Sequence, residues 1–229
     1  MTRVFIELSG DKLDIEDLKS GLKSFKWKIT NEGTKYYLSS EIIDELTDNR
    51  EIISKANEFL NTINGAANIL YSNHQRVQTG SLKIMGPNGA NYVIVIETAY
   101  FKLNSRVRGV ISTKADKSHS QTTIETWLDK SEKNKSVRDV LHFFNEITWW
   151  NLYKIYEIIN DDVKGQKGLH KLIDKTELSV FTQAAQSREF LGDKARHASR
   201  KYTPPKKNIT IDQACDLIIK LFDKWVSTK

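Results

Sequence analysis

The residues best suited to chemistry cluster near the C-terminal end of the sequence, in residues 188–207, here called the basic segment. It holds two acidic residues against seven basic ones, which are Arg188, Lys194, Arg196, Arg200, Lys201, Lys206 and Lys207. Concentrated positive charge creates a local field that holds an anion, and phosphate polymers are the commonest partners of such a patch. The segment therefore predicts binding of RNA, DNA or another polyanion. The alternative is a solvated helix end followed by a lysine-rich loop.

Within the basic segment, Arg196 and His197 are the candidates for catalysis. Residues 192–193 can restart a helix, which would place Arg196 and Arg200 on one face at i, i+4 spacing. An arginine beside a histidine can bind phosphate, and a histidine can move a proton near neutral pH. The alternative is structural: Arg196 pairs with a carboxylate such as Glu157, and His197 caps a helix end.

A second group of basic side chains is expected on a long strand. Residues 92–103 are rich in β-branched and aromatic residues and apolar on both parities, which is typical of a central strand covered on both faces. The strand is expected to continue to Ile111, with Arg106 and Arg108 on one face of the continuation. These two arginines would then help to grip a phosphate backbone. The alternative is a polar face exposed to solvent.

The sequence excludes several kinds of catalytic or metal site. The five histidines do not fall in HxH, HExxH or HxxxH spacing, and the single cysteine, Cys215, rules out an internal disulfide and a CxxC zinc site. The sequence has no Walker loop, no dinucleotide-type glycine pattern and no GxSxG motif. We therefore expect neither a metal nor a cofactor. Cys215 is expected to be an inert, buried thiol on the apolar face of the last helix.

Length and composition are those of an ordinary globular protein. The chain has 229 residues, 39% hydrophobic and 28% charged, with a net charge of +6. Residues 1–110 contribute +1 and residues 111–229 contribute +5, which equals the charge of the basic segment alone. The longest apolar run, residues 92–103, is too short to span a bilayer, and the N-terminal residues lack the layout of a signal peptide. Together with the single cysteine, this predicts a cytoplasmic protein with no membrane partner.

The N-terminal part of the chain is predicted to form an antiparallel sheet packed on one long helix. Alternating polar and apolar runs predict strands at residues 3–8, 26–30, 35–39 and 77–85. The long helix is predicted over residues 49–71, with Asp48 as its N-cap and an apolar stripe along one face. We therefore expect an α+β protein whose first domain spans residues 1–111.

The region that follows is predicted to connect two domains. Residues 112–135 are polar and charged, and they contain few large apolar side chains. Ile124, Trp127 and Leu128 are able to anchor a short ordered piece within this connection.

The rest of the chain, residues 136–229, is predicted to be a helical domain. One helix is expected from residue 136 to about residue 159, with Ser136 as its cap. Its aromatic residues cover most of its circumference, which is typical of a helix in the middle of a bundle. Thr210 and Gln213 have the spacing of a capping box, which predicts the start of the last helix.

Part of this helical region resembles a segment that recurs in uncharacterised bacterial proteins. The resemblance covers about the last 80 residues and is carried by residues 150–157, Phe181, residues 191–198, 204–205 and 210–218, and Trp225. Its most specific part is Gly-Asp-x-x-Arg-His within residues 192–197. The resemblance implies a bacterial cytoplasmic protein.

The all-helical layout also resembles the HEPN class, whose members include RNases of toxin–antitoxin and phage-defence systems. HEPN nucleases carry an arginine and a histidine on one helix, separated by four to six residues. In this chain three residues separate Arg138 from His142, and eight separate Arg188 from His197. The nuclease motif is therefore not matched.

These patterns lead to three hypotheses about function. The leading one is a non-catalytic module that binds nucleic acid or another polyanion through the basic segment, helped by Arg106 and Arg108. The first alternative is a HEPN-like RNase in phage defence or a toxin–antitoxin system, with Arg196 and His197 as catalytic residues. The second alternative is an assembly component whose aromatic-rich helix docks a protein partner or a second copy of the chain.

Overall fold

The protein is α+β, as predicted. The structure, a computed structural model, describes residues 2–71, 73–86, 91–94, 117–197, 199 and 201–229. These residues form an antiparallel sheet in the N-terminal part and mainly helices in the C-terminal part. The chain divides into an N-terminal unit, Met1–Thr126, and a helical unit, Trp127–Lys229. The boundary between them falls inside the polar region of residues 112–135.

The sheet follows the alternating pattern of the sequence. Its described strands are β1 (Arg3–Ser9), β2 (Trp27–Glu32), β3 (Lys35–Ser40), β4 (Gln78–Met85) and β5 (Asn91–Ile94). Neighbouring strands are antiparallel, in the order β2-β3-β1-β4-β5. Val4, Ile6 and Leu8 of β1 are buried and alternate with more exposed residues, because successive side chains of a strand point to opposite faces. Ile6 lies opposite Leu38 of β3 and Leu82 of β4, and all three are fully buried.

Three helices accompany the sheet: α1 (Lys12–Ser20), α2 (Glu41–Asp44) and α3 (Asn49–Leu70). The start of α3 confirms the predicted cap, because the side chain of Asp48 accepts the backbone N–H of Arg50 at 2.7 Å. The apolar stripe of α3 is buried, including Ile52, Ala56 and Ile63. Burial of this stripe, more than helix propensity, stabilises a helix of this length.

A buried polar network joins α3 to the chain that precedes β4. The amide Nδ2 of Asn64 donates to the carbonyl of Val77 at 2.8 Å, and its Oδ1 accepts the N–H of Val77 at 2.9 Å. The Nε2 atom of His74 lies 3.0 Å from the same Oδ1, and Nδ1 of His74 lies 3.2 Å from Oδ1 of Asp14 in α1. Asn64 therefore supplies both hydrogen bonds that the buried backbone of Val77 requires.

The strand predicted over residues 92–103 is described only at its start, in β5. Tyr92 and Val93 are each 63% exposed, so the prediction that this part of the strand is covered on both faces is wrong. The exposure agrees with the place of β5 at the end of the described strand order. Residues 95–103, and the continuation that carries Arg106 and Arg108, lie outside the described residues.

Helix α4 (Lys117–Lys133) occupies most of the region predicted to be a polar connection. Ile124, Trp127 and Leu128 are buried, which confirms them as the anchors of this region. Ile124 approaches Gly21 so closely that a β-carbon at residue 21 would lie 2.7 Å from its Cδ1. Gly21 thus leaves the space that Ile124 fills in the close-packed interior.

The helical unit continues with α5 (Lys135–Phe143), α6 (Trp149–Asp162), α7 (Gln166–Leu169), α8 (Lys175–Gln186), α9 (Arg188–Leu191) and α10 (Ile211–Val226). The prediction of a single helix over residues 136–159 is wrong, because the helical backbone is interrupted between α5 and α6. The side chain of Thr148 accepts the N–H of Asn151 at 3.1 Å and caps α6, so a new helix begins at Trp149. The predicted cap Ser136 is also wrong, since Asn134 accepts the N–H of Ser136 at 2.9 Å and caps α5.

The aromatic residues of α6 mostly serve the core of the helical unit. Trp149, Tyr153 and Tyr156 are buried and pack around the ring of Phe181 in α8. Trp150 is 47% exposed. No helix in the described part of the chain has both the length and the apolar composition required to cross a bilayer.

The last helix, α10, begins as predicted. The side chain of Thr210 accepts the N–H of Gln213 at 3.2 Å, and Oε1 of Gln213 accepts the N–H of Thr210 at 3.0 Å. Cys215 is half-buried, and burial, assisted by Asp216 and Asp212, raises the pKa of its thiol to about 11. A thiol with this pKa is protonated at neutral pH, which agrees with an inert residue.

The end of α10 is tied to α6 through one carboxylate. Nε1 of Trp225 donates to Oδ2 of Asp162 at 2.8 Å, and Lys229 forms an ion pair with the same oxygen. Burial pushes the pKa of Asp162 upward, but the hydrogen bonds from Lys229 and Trp225 outweigh burial and hold that pKa below its ordinary value of 3.8.

Replacing Asp162 by asparagine is expected to lower the free energy of unfolding by about 1 kcal/mol at neutral pH, because the ion pair is lost while Trp225 keeps an acceptor. A carboxylate with a lowered pKa stabilises the fold above its unfolded pKa, and this stabilisation is lost as the pH falls through its folded pKa. The difference in the free energy of unfolding between wild type and variant should therefore stay constant down to about pH 5 and shrink below about pH 4. Urea unfolding over a pH series measures it. A difference that stays constant at the lowest pH would contradict the ion pair.

Candidate functional site

The basic segment begins in the short helix α9, not in the restarted helix predicted from the sequence. Ser187 caps α9, which ends at Leu191 and is followed by Gly192, whose φ of 60° is left-handed. A single 3₁₀ turn over Gly192–Lys194 follows, and Arg196 lies beyond it outside any helix. The prediction that Arg196 shares a helix face with Arg200 is therefore wrong. Arg200 itself lies outside the described residues.

Arg196 ties the basic segment to α6 and α8. Its Nη2 lies 2.6 Å from Oε1 of Glu157, and its guanidinium group lies over the ring of Tyr153, 4.5 Å from the centroid. Its backbone N–H donates to the carbonyl of Ala185 at 2.9 Å. An ion pair, a cation–π contact and a backbone hydrogen bond thus converge on one residue. The pairing with Glu157, which the sequence left open as the structural alternative, is confirmed.

His197 lies between Arg196 and Tyr202. Nη1 of Arg196 lies 3.2 Å from Nε2 of His197, and because a guanidinium group only donates, Nε2 accepts and Nδ1 carries the ring proton. The imidazole stacks on Tyr202, with ring centroids 4.5 Å apart and an angle of 16° between the planes. The predicted alternative, in which His197 caps a helix end, is wrong, because this histidine follows a bend, is not adjacent to the end of any described helix and contacts Arg196 and Tyr202 instead.

The lysines of the basic segment are exposed, and these are Lys194, Lys201, Lys206 and Lys207. The Nζ atom of Lys201 lies 5.1 Å from the centroid of the Tyr202 ring. Pro205 is buried, so the chain between Lys201 and Lys206 is held against the unit. Residues 194–211 contain no Asp or Glu, and no carboxylate within this run offsets the lysine charges.

The other arginines of the prediction differ in their surroundings. Nη2 of Arg188 lies 3.3 Å from Oδ1 of Asp193, and both side chains are exposed. An exposed pair of this kind contributes little to stability. Arg106, Arg108 and Arg200 lie outside the described residues, and their part in binding stays a prediction.

The sequence did not predict a cleft of about 310 Å³ between α8, α10 and residues 207–209. Its apolar lining comes from Val180, Ile209 and Leu217. Its charged lining comes from Glu177, Lys207, Asp216 and Lys220. No local pattern indicates this cleft, because its walls come from two helices and a loop that are separated in the sequence.

The catalytic assignment of Arg196 and His197 stays a prediction, although the two side chains are in contact. Among the described residues, no three side chains of His, Cys, Asp or Glu are grouped so that they could hold a metal ion. Comparison with known proteins yields no relative, since neither a family model, nor a curated protein, nor a solved structure matches this chain.

Proposed function

We propose that this protein is a bacterial, cytoplasmic, non-catalytic module that binds nucleic acid through the basic segment. The observation that carries the proposal is the run of residues 194–211, which contains six basic residues and no carboxylate and whose lysines are exposed. A surface with one sign of charge attracts a phosphate polymer and releases its counterions. The single cysteine, which allows no internal disulfide, agrees with a reducing cytoplasm.

The aromatic neighbours of the lysines favour nucleic acid over other polyanions. The stacked pair of His197 and Tyr202 lies beside Lys201. Proteins that bind single strands combine basic side chains, which follow the phosphates, with aromatic rings on which bases stack. A polyanion without bases has no flat ring to stack on His197 and Tyr202.

Lysines and arginine have different tasks in this proposal. The guanidinium group of Arg196 is engaged by Glu157 and Tyr153, so this residue holds the segment in place. The exposed lysines act as point charges that contact phosphates of any sequence. We therefore assign affinity to the lysines and positioning to Arg196.

Fluorescence anisotropy over a salt series tests the proposal, with a labelled single strand, a labelled duplex of the same sequence and heparin as a polyanion without bases. The expected result is binding of nucleic acid whose log affinity falls linearly with log salt concentration. Heparin should bind more weakly than the single strand, since it offers no base for stacking. Failure of both nucleic acids to bind at low salt would overturn the proposal.

The contact of 3.2 Å between Arg196 and His197 favours a second candidate, a HEPN-like RNase in phage defence or a toxin–antitoxin system. In this candidate Arg196 binds the phosphate and His197 transfers the proton. Nε2 would first have to leave Arg196, because a nitrogen that accepts a hydrogen bond cannot also take the substrate's proton. RNA cleavage that is lost in a folded His197→Ala variant would favour the enzyme, and cleavage retained in that variant would reject it.

A further inference from the structure

We infer that the cleft between α8 and α10 holds one unstacked base of the bound nucleic acid and prefers a base that carries an exocyclic amino group. The inference rests on the proposed function, because the basic segment would bring the strand to the cleft. Lys207 links the two features: it belongs to the basic segment and it lines the cleft.

The size and the lining of the cleft suit one base. Its volume of about 310 Å³ lies at the lower end of the range for sites that hold small organic molecules. Val180 and Ile209 are partly accessible and Leu217 is nearly buried, so together they form an apolar surface against which a flat ring can lie. A paired base in a duplex cannot enter such a cleft, whereas a base of a single strand can be turned out of its stack.

The charges of the cleft favour a base over a phosphate. Lys207 and Lys220 are balanced by Glu177 and Asp216, so the charged lining carries no net charge. A phosphate site requires an excess of positive charge or of donors. Carboxylates instead accept hydrogen bonds from amino groups, as Asp and Glu do from N4 of cytosine. Uracil presents a carbonyl oxygen at the same position, which a carboxylate repels.

Helix caps fix the backbone of the two helices that carry these carboxylates. Oδ1 of Asp174 accepts the N–H of Thr176 at 2.8 Å and of Glu177 at 3.0 Å, which fixes the first turn of α8. The capping box of α10 fixes the turn that precedes Asp216. Within the described part of the chain, neither Glu177 nor Asp216 forms an ion pair. Two exposed carboxylates on ordered helices are thus available as acceptors for a ligand.

The test compares short homo-oligomers of cytidylate and uridylate, equal in length and phosphate count. Anisotropy at one low salt concentration is expected to show about tenfold tighter binding of the cytidylate oligomer to the wild-type protein. The double variant Glu177→Gln, Asp216→Asn should bind both oligomers equally, because a side-chain amide both donates and accepts.

The matched control is the double variant Glu146→Gln, Asp129→Asn, which changes the net charge equally at two exposed residues that lie outside the basic segment and do not line the cleft. This control should keep the preference for cytidylate. Equal, salt-dependent binding of both oligomers by the wild type would overturn the base site and leave the proposed function standing. A preference that survives in the cleft variant, with its circular dichroism unchanged, would overturn the assignment to the cleft. Failure of both oligomers to bind would refute the proposed function, and the base site with it.

Discussion

Neutralising the exposed lysines of the basic segment is expected to weaken binding of a single strand on the order of a hundredfold at 0.1 M salt, because each phosphate contact releases counterions with a slope of about 0.7. The variant replaces four residues by glutamine: Lys194, Lys201, Lys206 and Lys207. The slope of log affinity against log salt should become shallower by about 3 if all four lysines contact phosphates. Anisotropy titrations over a salt series measure both quantities.

A second set of lysines provides the control for this variant. Lys133, Lys167, Lys171 and Lys224 are also exposed, belong to the same unit and lie outside the basic segment. Their replacement by glutamine changes the net charge equally, but it should alter affinity only a few-fold and leave the salt slope unchanged. Equal losses in the two variants would show that total charge, and not the basic segment, determines binding.

Replacing Asn64 by alanine is expected to lower the free energy of unfolding of the N-terminal unit by about 4 kcal/mol, since two buried backbone groups of Val77 lose their partners. Alanine also removes the contact of His74 with Asn64. Amide hydrogen exchange in β1 and β4 reports on this unit directly, which matters because a chain of two units need not unfold in one step.

Asn61 on the same helix is the matched control. It accepts a hydrogen bond from Arg76 in exposed surroundings, where water can replace the lost partner. Asn61→Ala should therefore cost less than about 1 kcal/mol. Similar protection of the β1 and β4 amides from hydrogen exchange in the two variants would mean that Asn64 does not stabilise the chain before β4.

The elements that the sequence predicted correctly are those specified by nearby residues. The stripe of Ile52, Ala56 and Ile63 has the spacing of one helix face, and the capping box of Thr210 and Gln213 needs only four consecutive residues. The break between α5 and α6 was missed because the apolar period continues through it. Within such a period, the cap at Thr148 is a weaker signal than the apolar side chains on either side.

The candidate site was predicted as a concentration of charge but not as a geometry. Glu157 was named as a partner for Arg196, yet nothing local specifies a contact between residues 39 positions apart. The helix predicted to restart at residues 192–193 does not form, because a single 3₁₀ turn over Gly192–Lys194 takes its place and leaves Arg196 outside any helix. The cleft could not be predicted from the sequence either, because it is formed by packing between segments that are distant along the chain.

The contacts at the two ends of residues 196–210 affect the affinity of this part of the chain for an anion. Arg196 is fastened to Glu157 at one end, and Thr210 opens α10 at the other. Because both ends are held, the described residues between them, 197, 199 and 201–209, have less conformational freedom to lose when an anion binds. A disordered lysine-rich tail of the same composition would lose more conformational entropy on binding and would therefore bind the same anion with lower affinity.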